Sequence, residues 1–372
     1  MALNKKETER YSRQLLMPNF GMEGQERLKS SSVLVVGAGG LGCPVLEYLV
    51  GAGVGLIGIV DGDTVSFNNL HRQLLYSETD QGKLKAKCAA RILKEKNSTV
   101  KINTYPVFLS TSNAMELASQ YDVLVDCTDN FASRYLINDL GVLHDLPVVY
   151  GSVHQFEGQV SVFNLKTDQG LSPNYRDLFP VPPAAGTVQD CAEGGVLGVL
   201  PGIIGSLQAL EVIKIITGLG ETLAGQLLLF DALDNKYRKI KFKPSEPPVE
   251  INKLIDYEQF CGVSKSTASA LEVSPEQARE LIEKEEWTLV DIREAAEREL
   301  SHIGGIHVLQ SDVKTFLEQH SRMSNILFYC RSGRRSLALV EEINDSINIE
   351  VLSLKGGLLG YIDFWDLDLV KY

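Results

Sequence analysis

The segment Val33-Leu-Val-Val-Gly-Ala-Gly-Gly-Leu-Gly42 decides the fold of the first part of the chain. Its first four residues are an apolar, mostly β-branched run that predicts a buried strand, and the apolar stretch 45–50 predicts a helix. Gly37, Gly39 and Gly42 have the Gly-x-Gly-x-x-Gly spacing of a tight turn, in which a phosphate can approach backbone amides and a helix N-terminus. The segment therefore predicts a strand, a phosphate-binding turn and a helix.

Strands and helices continue to alternate beyond this segment. Apolar runs at 56–60, 123–125 and 147–150 predict further strands, and 83–94 predicts a helix. This alternation predicts an α/β fold with a doubly wound, mainly parallel sheet. Asp61 follows the second strand, where a carboxylate can bind ribose hydroxyls. The glycine turn and Asp61 together indicate a nucleotide, but they do not distinguish NAD from ATP.

The length of 372 residues favours two domains. We predict a first domain over 1–243 and a linker over 244–273, because the composition there turns to proline, charge and then small polar residues. A second, smaller α/β domain is predicted over 274–372. It begins at Ser274-Pro275, a helix-capping residue followed by proline at the first helical position, and a strand is predicted at 288–292.

The chain is acidic, with 36 Lys and Arg against 48 Asp and Glu, a net charge of −12. This charge would repel nucleic acid and anionic membranes, so neither is expected as a partner. The polar start and the lack of a long uncharged apolar run predict a cytoplasmic protein. The stretch 201–218 predicts an apolar helix buried on most faces, either in the core or at a subunit interface; we favour a homodimer.

Many polar and charged side chains follow the predicted strands. The segments after successive parallel strands meet at the carboxyl edge of a sheet, so these side chains can converge on one ligand. A triphosphate needs several cations there and a dehydrogenase needs few, which favours ATP. An NAD-dependent oxidoreductase with a regulatory domain and a non-catalytic scaffold remain the alternatives. The side chains concerned are Asp61, Asn68, Asn69, Arg72, Lys85, Asp129 and Asn130.

Across residues 10–242 the sequence resembles the MoeB/ThiF family of ubiquitin-like-protein-activating enzymes. The resemblance implies a Rossmann-like ThiF fold and ATP-dependent adenylation of the C-terminal carboxylate of a small ubiquitin-like sulfur-carrier protein ending in Gly-Gly. A carboxylate is already ionised at neutral pH, so such a step needs alignment and charge neutralisation rather than a general base. The resemblance is carried by Arg10–Gln14, Gly37–Gly42, Asp61–Gln73, Asp126–Asn130 and Cys191–Gly202.

The resemblance also implies roles for single residues. Gly40 and Asp61 would bind ATP, and its phosphates would lie on Asn69, Arg72 and Lys85. Further roles concern the metal, the second protomer and the carrier. The resemblance implies that Asp129 holds Mg²⁺ with Asn130 beside it, that Arg13 reaches into the site of a neighbouring protomer, and that Cys191 forms a covalent link with the carrier.

Relatives commonly carry two CxxC pairs that bind a structural zinc, and this chain carries neither. The corresponding segments are Asn174–Asp177 and Lys243–Pro248, so no zinc is predicted. A proline-rich stretch at 171–188 predicts an exposed crossing loop. The carrier could serve molybdopterin, thiamine, cysteine or tRNA-thiolation chemistry; molybdopterin synthesis is favoured because Tyr175–Gly202 looks MoeB-like.

The segment Cys330-Arg-Ser-Gly-Arg-Arg335 follows an apolar strand at 326–329 and precedes a helical run near Ser336. Loop amides, the helix N-terminus and the three guanidinium groups would each stabilise a thiolate, so Cys330 is predicted to be a nucleophile. The C-x4-R spacing is one residue shorter than the C-x5-R loop with which cysteine phosphatases wrap a phosphate, and it suits a sulfur atom.

Together with three flanking motifs, this loop resembles that of a single rhodanese domain over 274–365. The resemblance implies that Cys330 carries a persulfide sulfur, taken from an upstream donor such as a cysteine desulfurase. That sulfur would convert the acyl-adenylate to a thiocarboxylate. The motifs are Val290–Glu294, His302–Gly305 and Leu354–Gly357. Structural rather than catalytic roles are implied for Asp291, Arg293 and His302.

Overall fold

A computed structural model describes most of the chain as two compact units, the first ending at Gly262 and the second lying beyond it. Cys191, the predicted carrier-linked cysteine, lies outside the described residues. The described residues are 2–168, 170–183, 195–262, 270–284, 287–320, 325–347 and 349–372.

The strands of the first unit are Ser32–Val36 (β1), Leu56–Val60 (β2), Lys101–Tyr105 (β3), Val123–Asp126 (β4), Val148–His154 (β5), Glu157–Phe163 (β6), Lys166–Thr167 (β7), Gly170–Leu171 (β8), Gln226–Asp231 (β9) and Lys236–Lys241 (β10). Strands β7 and β8 form a separate pair, and the other eight form a central sheet in the order β10-β9-β6-β5-β4-β1-β2-β3. Strands β3, β2, β1, β4 and β5 are parallel, and β6, β9 and β10 continue the sheet antiparallel. The doubly wound, mainly parallel sheet is confirmed, with an antiparallel extension that was not predicted.

Helices cover both faces of this sheet. The burial of β1 shows this, since its alternate residues lie in two different hydrophobic clusters. Val33 and Val35 belong to one cluster, and Leu34 and Val36 belong to the other. A continuous apolar run is typical of a parallel strand buried on both faces. The helices are Lys5–Arg10 (α1), Ser12–Leu15 (α2), Gly21–Ser30 (α3), Gly42–Ala52 (α4), Lys85–Lys96 (α5), Ala114–Ala118 (α6), Phe131–Leu143 (α7), Tyr175–Leu178 (α8), Val199–Thr217 (α9) and Tyr257–Phe260 (α10).

The long apolar helix α9 packs on α3, α4, β5 and β6. It ends where Gly218 adopts a left-handed conformation with φ of +76°. By length and composition alone it could cross a membrane, and 44% of its apolar window is buried inside the unit. Val199 and Leu210 lie on its exposed side. One apolar side of α9 therefore stays open in the single chain, and its burial at a subunit interface stays a prediction.

The segment predicted to be an exposed crossing loop instead includes α8, with Tyr175 and Arg176 buried. The prediction is wrong there because Arg176 makes a buried bidentate ion pair with Asp139, at 2.7 Å for both hydrogen bonds. Tyr257 donates a further hydrogen bond to Asp139 at 2.7 Å. Residues 244–262 of the predicted linker therefore include groups that pack in the first unit.

The strands of the second unit are Glu272–Val273 (β11), Trp287–Asp291 (β12), Ile306–His307 (β13), Asn325–Tyr329 (β14) and Val351–Leu354 (β15), and its helices are Pro275–Glu283 (α11), Ala295–Leu300 (α12), Val313–Gln319 (α13), Arg334–Ile343 (α14) and Gly357–Trp365 (α15). The five strands form a parallel sheet in the order β11-β15-β14-β12-β13. Helix α11 has a capping box made by Ser274, at the predicted position. Alternate residues of the central strand β14 are again buried in two clusters, Ile326 and Phe328 in one and Leu327 and Tyr329 in the other.

Candidate functional site

The turn between β1 and α4 can be made only with glycine at two positions. Gly37 has φ of +95°, and a Cβ atom there would lie 2.6 Å from the carbonyl oxygen of Cys127. A Cβ atom on Gly42 would lie 2.0 Å from the carbonyl oxygen of Gly37. The glycines thus allow the helix to begin directly against the strand end, where its free amides can face an anion.

Asp61, which follows β2, joins that strand to the glycine turn. One carboxylate oxygen accepts a hydrogen bond from the Ala38 amide at 2.7 Å, and the other accepts one from the Asp63 amide at 2.8 Å. Burial raises the pKa of Asp61 despite these hydrogen bonds, which lower it. Asp61 therefore lies where a ribose-binding carboxylate was predicted, and it also fixes the shape of the turn.

Lys85 is the first residue of α5, and its side chain is buried. Its ammonium donates to the Asp63 carboxylate at 2.6 Å, and its amide donates to the Asp63 carbonyl oxygen at 2.9 Å. Asp63 is itself exposed. An ammonium has three N–H donors, so Lys85 can donate a further hydrogen bond to a phosphate oxygen. Asp63 was not singled out from the sequence, although it stands two residues after Asp61.

Asn68, Asn69 and Arg72 lie together in and after the short 3-10 helix Phe67–Asn69. The Arg72 guanidinium donates to the Asn69 side-chain oxygen at 2.8 Å and to the Asn68 carbonyl oxygen at 3.1 Å. Gln73 donates to the same Asn69 oxygen at 3.1 Å and is buried. The arrangement fixes a guanidinium and two amides, which can bind phosphate oxygens. Gln73 closes the segment Asp61–Gln73 that carries the resemblance, but it was given no role of its own.

A Gln73 side-chain nitrogen lies 3.4 Å from the position of a Cβ atom on Gly39, so Gln73 lies against the glycine turn. Gly40 faces Pro201 of α9 in the same way, at 3.1 Å. Asn68, Asn69, Arg72 and Gln73, here called the Asn69 group, therefore belong to one site with the glycine turn, at the carboxyl edge of β1 and β2. This is the position in which open α/β sheets bind ligands.

Asp129 and Asn130 follow β4, and both are exposed. The Asn130 side chain accepts a hydrogen bond from the Ser133 amide at 2.9 Å, so it caps α7. No group of three or more His, Cys, Asp or Glu that could hold a metal occurs among the described residues. Mg²⁺ usually needs only one or two carboxylates and completes its shell with phosphate oxygens and water, so Asp129 alone fits that role.

Arg13 lies on the short helix α2 and is exposed. Within the described chain no hydrogen bond or ion pair joins it to the other predicted site residues. The structure therefore brings together the glycine turn, Asp61, the Asn69 group and Lys85, but it does not add Arg13 to them in one protomer.

Cys330 follows β14 and has 0% of its surface exposed. Its sulfur accepts a hydrogen bond from the Gly333 amide at 3.2 Å and one from the Ser336 hydroxyl at 3.6 Å. Gly333 has φ of +87°, and a Cβ atom there would lie 2.9 Å from the Gly356 amide nitrogen. The loop therefore closes tightly round the sulfur, with donors that stabilise a thiolate or persulfide anion.

Not every arginine of this loop is available to stabilise the Cys330 thiolate. Arg335 is buried and makes two hydrogen bonds to Glu297, at 2.9 and 2.7 Å. The predicted contribution of Arg335 to the thiolate is therefore corrected, because its charge is paired with a carboxylate. Glu297 was missed, since a glutamate in an acidic stretch looks like an ordinary surface residue.

Asp291 and Arg293 form a second ion pair, fully buried, at 2.6 Å. Burial alone would raise the pKa of Asp291, but the Arg293 hydrogen bonds hold it below its usual range. Tyr329 also donates to Asp291, at 2.8 Å. His302 is exposed and accepts from the Gly304 amide at 3.0 Å, within a turn. The contacts of Asp291, Arg293 and His302 are therefore of the kind expected for structural residues.

The first unit thus has the fold and site of a nucleotide-binding α/β domain, and the second has a cysteine loop of the rhodanese type. The family model described as "ThiF family" matches residues 11–250, and that described as "Rhodanese-like domain" matches residues 274–363. The chain therefore belongs to the ThiF family and carries a single rhodanese-like domain.

Named relatives have the same two-part organisation or only its first part. The chain is 40% identical to a probable adenylyltransferase/sulfurtransferase MoeZ of Mycobacterium tuberculosis, over 100% of this chain and 97% of that protein. It is 49% identical to a sulfur carrier protein adenylyltransferase of Thermus thermophilus, over 71% of this chain and 100% of that protein. The crystal structure of E. coli MccB with ATP has a TM-score of 0.55 at 21% identity, over 67% of this chain and 76% of that chain, which is a likeness of fold.

Proposed function

We propose that this enzyme adenylates the C-terminal glycine carboxylate of a small ubiquitin-like sulfur-carrier protein and then transfers a persulfide sulfur to it. The observation that carries the proposal is that one chain contains both a candidate nucleotide site and a candidate sulfur-transfer cysteine. In the first unit, Arg72, Asn69 and Lys85 follow the strands at the sheet edge that carries the glycine turn, and in the second, Cys330 lies in an amide-lined loop. The similarity to adenylyltransferase/sulfurtransferase relatives over the whole chain supports it.

In the first step, a carrier carboxylate oxygen attacks the α-phosphorus of ATP and the bond to the bridging oxygen breaks, so pyrophosphate leaves with the electron pair. Asp61 would hold the ribose, and Arg72 and Lys85 would neutralise charge on the phosphates. Bound Mg²⁺, held by Asp129, would supply further charge neutralisation. No proton has to be removed, and so the site needs no general base.

In the second step, the terminal sulfur of a Cys330 persulfide attacks the acyl-adenylate carbonyl, and AMP leaves. The product is an acyl disulfide between the carrier and Cys330. A second thiol, either Cys191 or an external thiol, then attacks the Cys330 sulfur and releases the carrier thiocarboxylate. A reducing thiol then cleaves the disulfide left on Cys330 and is itself oxidised to a disulfide. An upstream donor such as a cysteine desulfurase would then transfer a new outer sulfur to the freed Cys330 thiolate and restore the persulfide.

The proposal includes a cytoplasmic homodimer. Arg13 is exposed, and Val199 and Leu210 are exposed on the apolar side of α9. A second copy of the chain could bury this apolar side and accept Arg13 in its site. Of the pathways that use such carriers, molybdopterin synthesis is the one we favour, because Tyr175–Gly202 resembles MoeB.

Mass spectrometry of a Gly-Gly-ending carrier tests the proposal. With ATP, Mg²⁺, a sulfur donor and a reducing thiol, the wild-type chain should replace one carrier oxygen with sulfur. Cys330→Ala should abolish this product but spare ATP–pyrophosphate exchange. Loss of both activities in a folded variant would contradict the division of labour between the two units.

A thermal-shift measurement separates this function from the NAD-dependent alternative. A ligand that binds the native state raises the melting temperature. ATP with Mg²⁺ should stabilise the first unit and NAD should not. Stabilisation by NAD alone would favour an oxidoreductase.

A further inference from the structure

Tyr372 holds the residue next to the nucleophile. Nε of Arg331 donates a hydrogen bond to a main-chain oxygen of Tyr372 at 2.6 Å. The guanidinium carbon of Arg331 also lies over the Tyr372 ring, 5.5 Å from its centroid. A cation over an aromatic face is attracted to it. Two separate contacts with Tyr372 therefore fix the Arg331 side chain.

Tyr372 is itself anchored to residues that support the Cys330 loop. Its hydroxyl accepts a hydrogen bond from Arg293 and lies 3.4 Å from an oxygen of Glu297, the partner of Arg335. Burial raises the pKa of Tyr372 to about 12, so the hydroxyl is neutral at physiological pH. The ring is therefore held on the same buried network as the loop.

The fixed Arg331 keeps two donor groups available. Across the described part of the chain, neither Nη atom of Arg331 has a hydrogen-bond partner. A guanidinium with free Nη groups binds an oxyanion well, and it binds more tightly when it is already ordered. Arg331 is thus prepared to hold the anionic group of a sulfur donor beside Cys330.

We propose that Tyr372 is a positioning residue for sulfur transfer, because it fixes Arg331 in the orientation that binds an anionic donor. This inference rests on the proposed function of Cys330. With thiosulfate as the probe, the Cys330 thiolate attacks the outer sulfur, the sulfur–sulfur bond of thiosulfate breaks and sulfite leaves with the electron pair. Cyanide then removes the outer sulfur as thiocyanate and restores the thiolate.

Steady-state thiocyanate formation by the full chain tests the role of Tyr372. Tyr372→Ala keeps the main-chain oxygen but removes the ring and its hydroxyl anchor, so Arg331 is no longer held in place. Its KM for thiosulfate should rise about tenfold and its kcat should stay within about twofold of the wild-type value, as expected for lost donor binding. Tyr372→Phe keeps the aromatic face over Arg331 and loses only the hydroxyl contacts, so its KM should rise less than that of Tyr372→Ala. Should Tyr372→Ala fail to fold, Tyr372→Leu keeps apolar packing, lacks the aromatic face and carries the same prediction.

A double variant shows whether Tyr372 acts through Arg331. Arg331→Ala with Tyr372→Ala should have the KM of Arg331→Ala alone, since nothing remains to be positioned. Additive effects, or an unchanged KM in Tyr372→Ala, would overturn the inference. A wild-type chain that makes no thiocyanate would instead refute the sulfurtransferase function of Cys330, so the two failures are distinguishable.

Discussion

The Asp61 carboxylate accepts the Ala38 amide hydrogen at 2.7 Å, which joins the end of β2 to the glycine turn after β1. The residue that would hold the ribose therefore also shapes the turn that would hold the phosphates. A change in its charge should affect both ends of the bound nucleotide.

Acid should weaken ATP binding through Asp61. Because burial raises the pKa of Asp61 above 3.8, its carboxylate gains a proton at a higher pH than an exposed aspartate does. Protonation removes an acceptor, so the KM for ATP should rise as the pH falls through this raised pKa and be lowest above it. The KM of Asp61→Asn should be high throughout and lack this acid limb. An identical acid limb in Asp61→Asn would show that another group titrates.

Mixed protomers should test the place of Arg13. Arg13→Ala and Lys85→Ala homodimers should each lose pyrophosphate exchange. If Arg13 completes the site of its partner, a mixed dimer contains one site with both residues intact, so activity should return after subunit exchange. Each variant mixed with wild-type protein provides the control for exchange of subunits. Two variants that remain inactive after verified exchange would place Arg13 and Lys85 in the same protomer's site.

The Arg335–Glu297 pair should matter more for stability than an exposed pair of similar geometry. Removal of one partner leaves a buried charge unpaired, so Arg335→Met should lower the free energy of unfolding of the second unit by about 3–5 kcal/mol. Lys314 and Glu342 form an exposed pair at 2.6 Å, and Lys314→Met should cost about 0–1 kcal/mol. Chemical denaturation of the full chain measures both, and equal effects would contradict the assignment.

Removal of metal ions should leave the first unit intact. Asn174–Asp177 and Lys243–Pro248, where the resemblance to the MoeB/ThiF family would place zinc-binding cysteines, are joined by two 2.8 Å hydrogen bonds from Ser245 to Asp177. A chelator should therefore not change the melting temperature. A fall in melting temperature with chelator alone would reveal a structural metal.

The hydrogen bond from Tyr257 to the buried Asp139 should contribute to the stability of the first unit. Tyr257→Phe removes it and should lower the free energy of unfolding by about 1.5–3 kcal/mol, measured by chemical denaturation.

The sequence predicted those elements whose residues have a local reason for their position. Gly37 has a positive φ, Gly42 is required by a contact with Gly37 five residues earlier, and β2 was predicted with its observed bounds, Leu56–Val60. Contacts between distant segments were not predictable in this way. Arg176 and Asp139 are 37 residues apart, and only the fold shows that they neutralise each other.

The same reason explains the errors near Cys330. Arg335 follows Cys330 closely in sequence, which suggested that its charge stabilises the thiolate. Arg335 instead pairs with Glu297, which lies 38 residues away in sequence. Tyr372 was not considered, because nothing in the local sequence indicates that it lies against Arg331. A loop read in isolation therefore shows which groups are present but not which of them are already paired.

ATP–pyrophosphate exchange with a Gly-Gly-ending carrier tests the central claim most directly. The wild-type chain should pass label from pyrophosphate into ATP only when the carrier is present. Lys85→Ala should lower the rate by about 10²–10³-fold, whereas Lys87→Ala, an exposed lysine on the same helix α5, should leave it unchanged. No exchange by the wild-type chain with any such carrier, or full exchange by Lys85→Ala, would contradict the account.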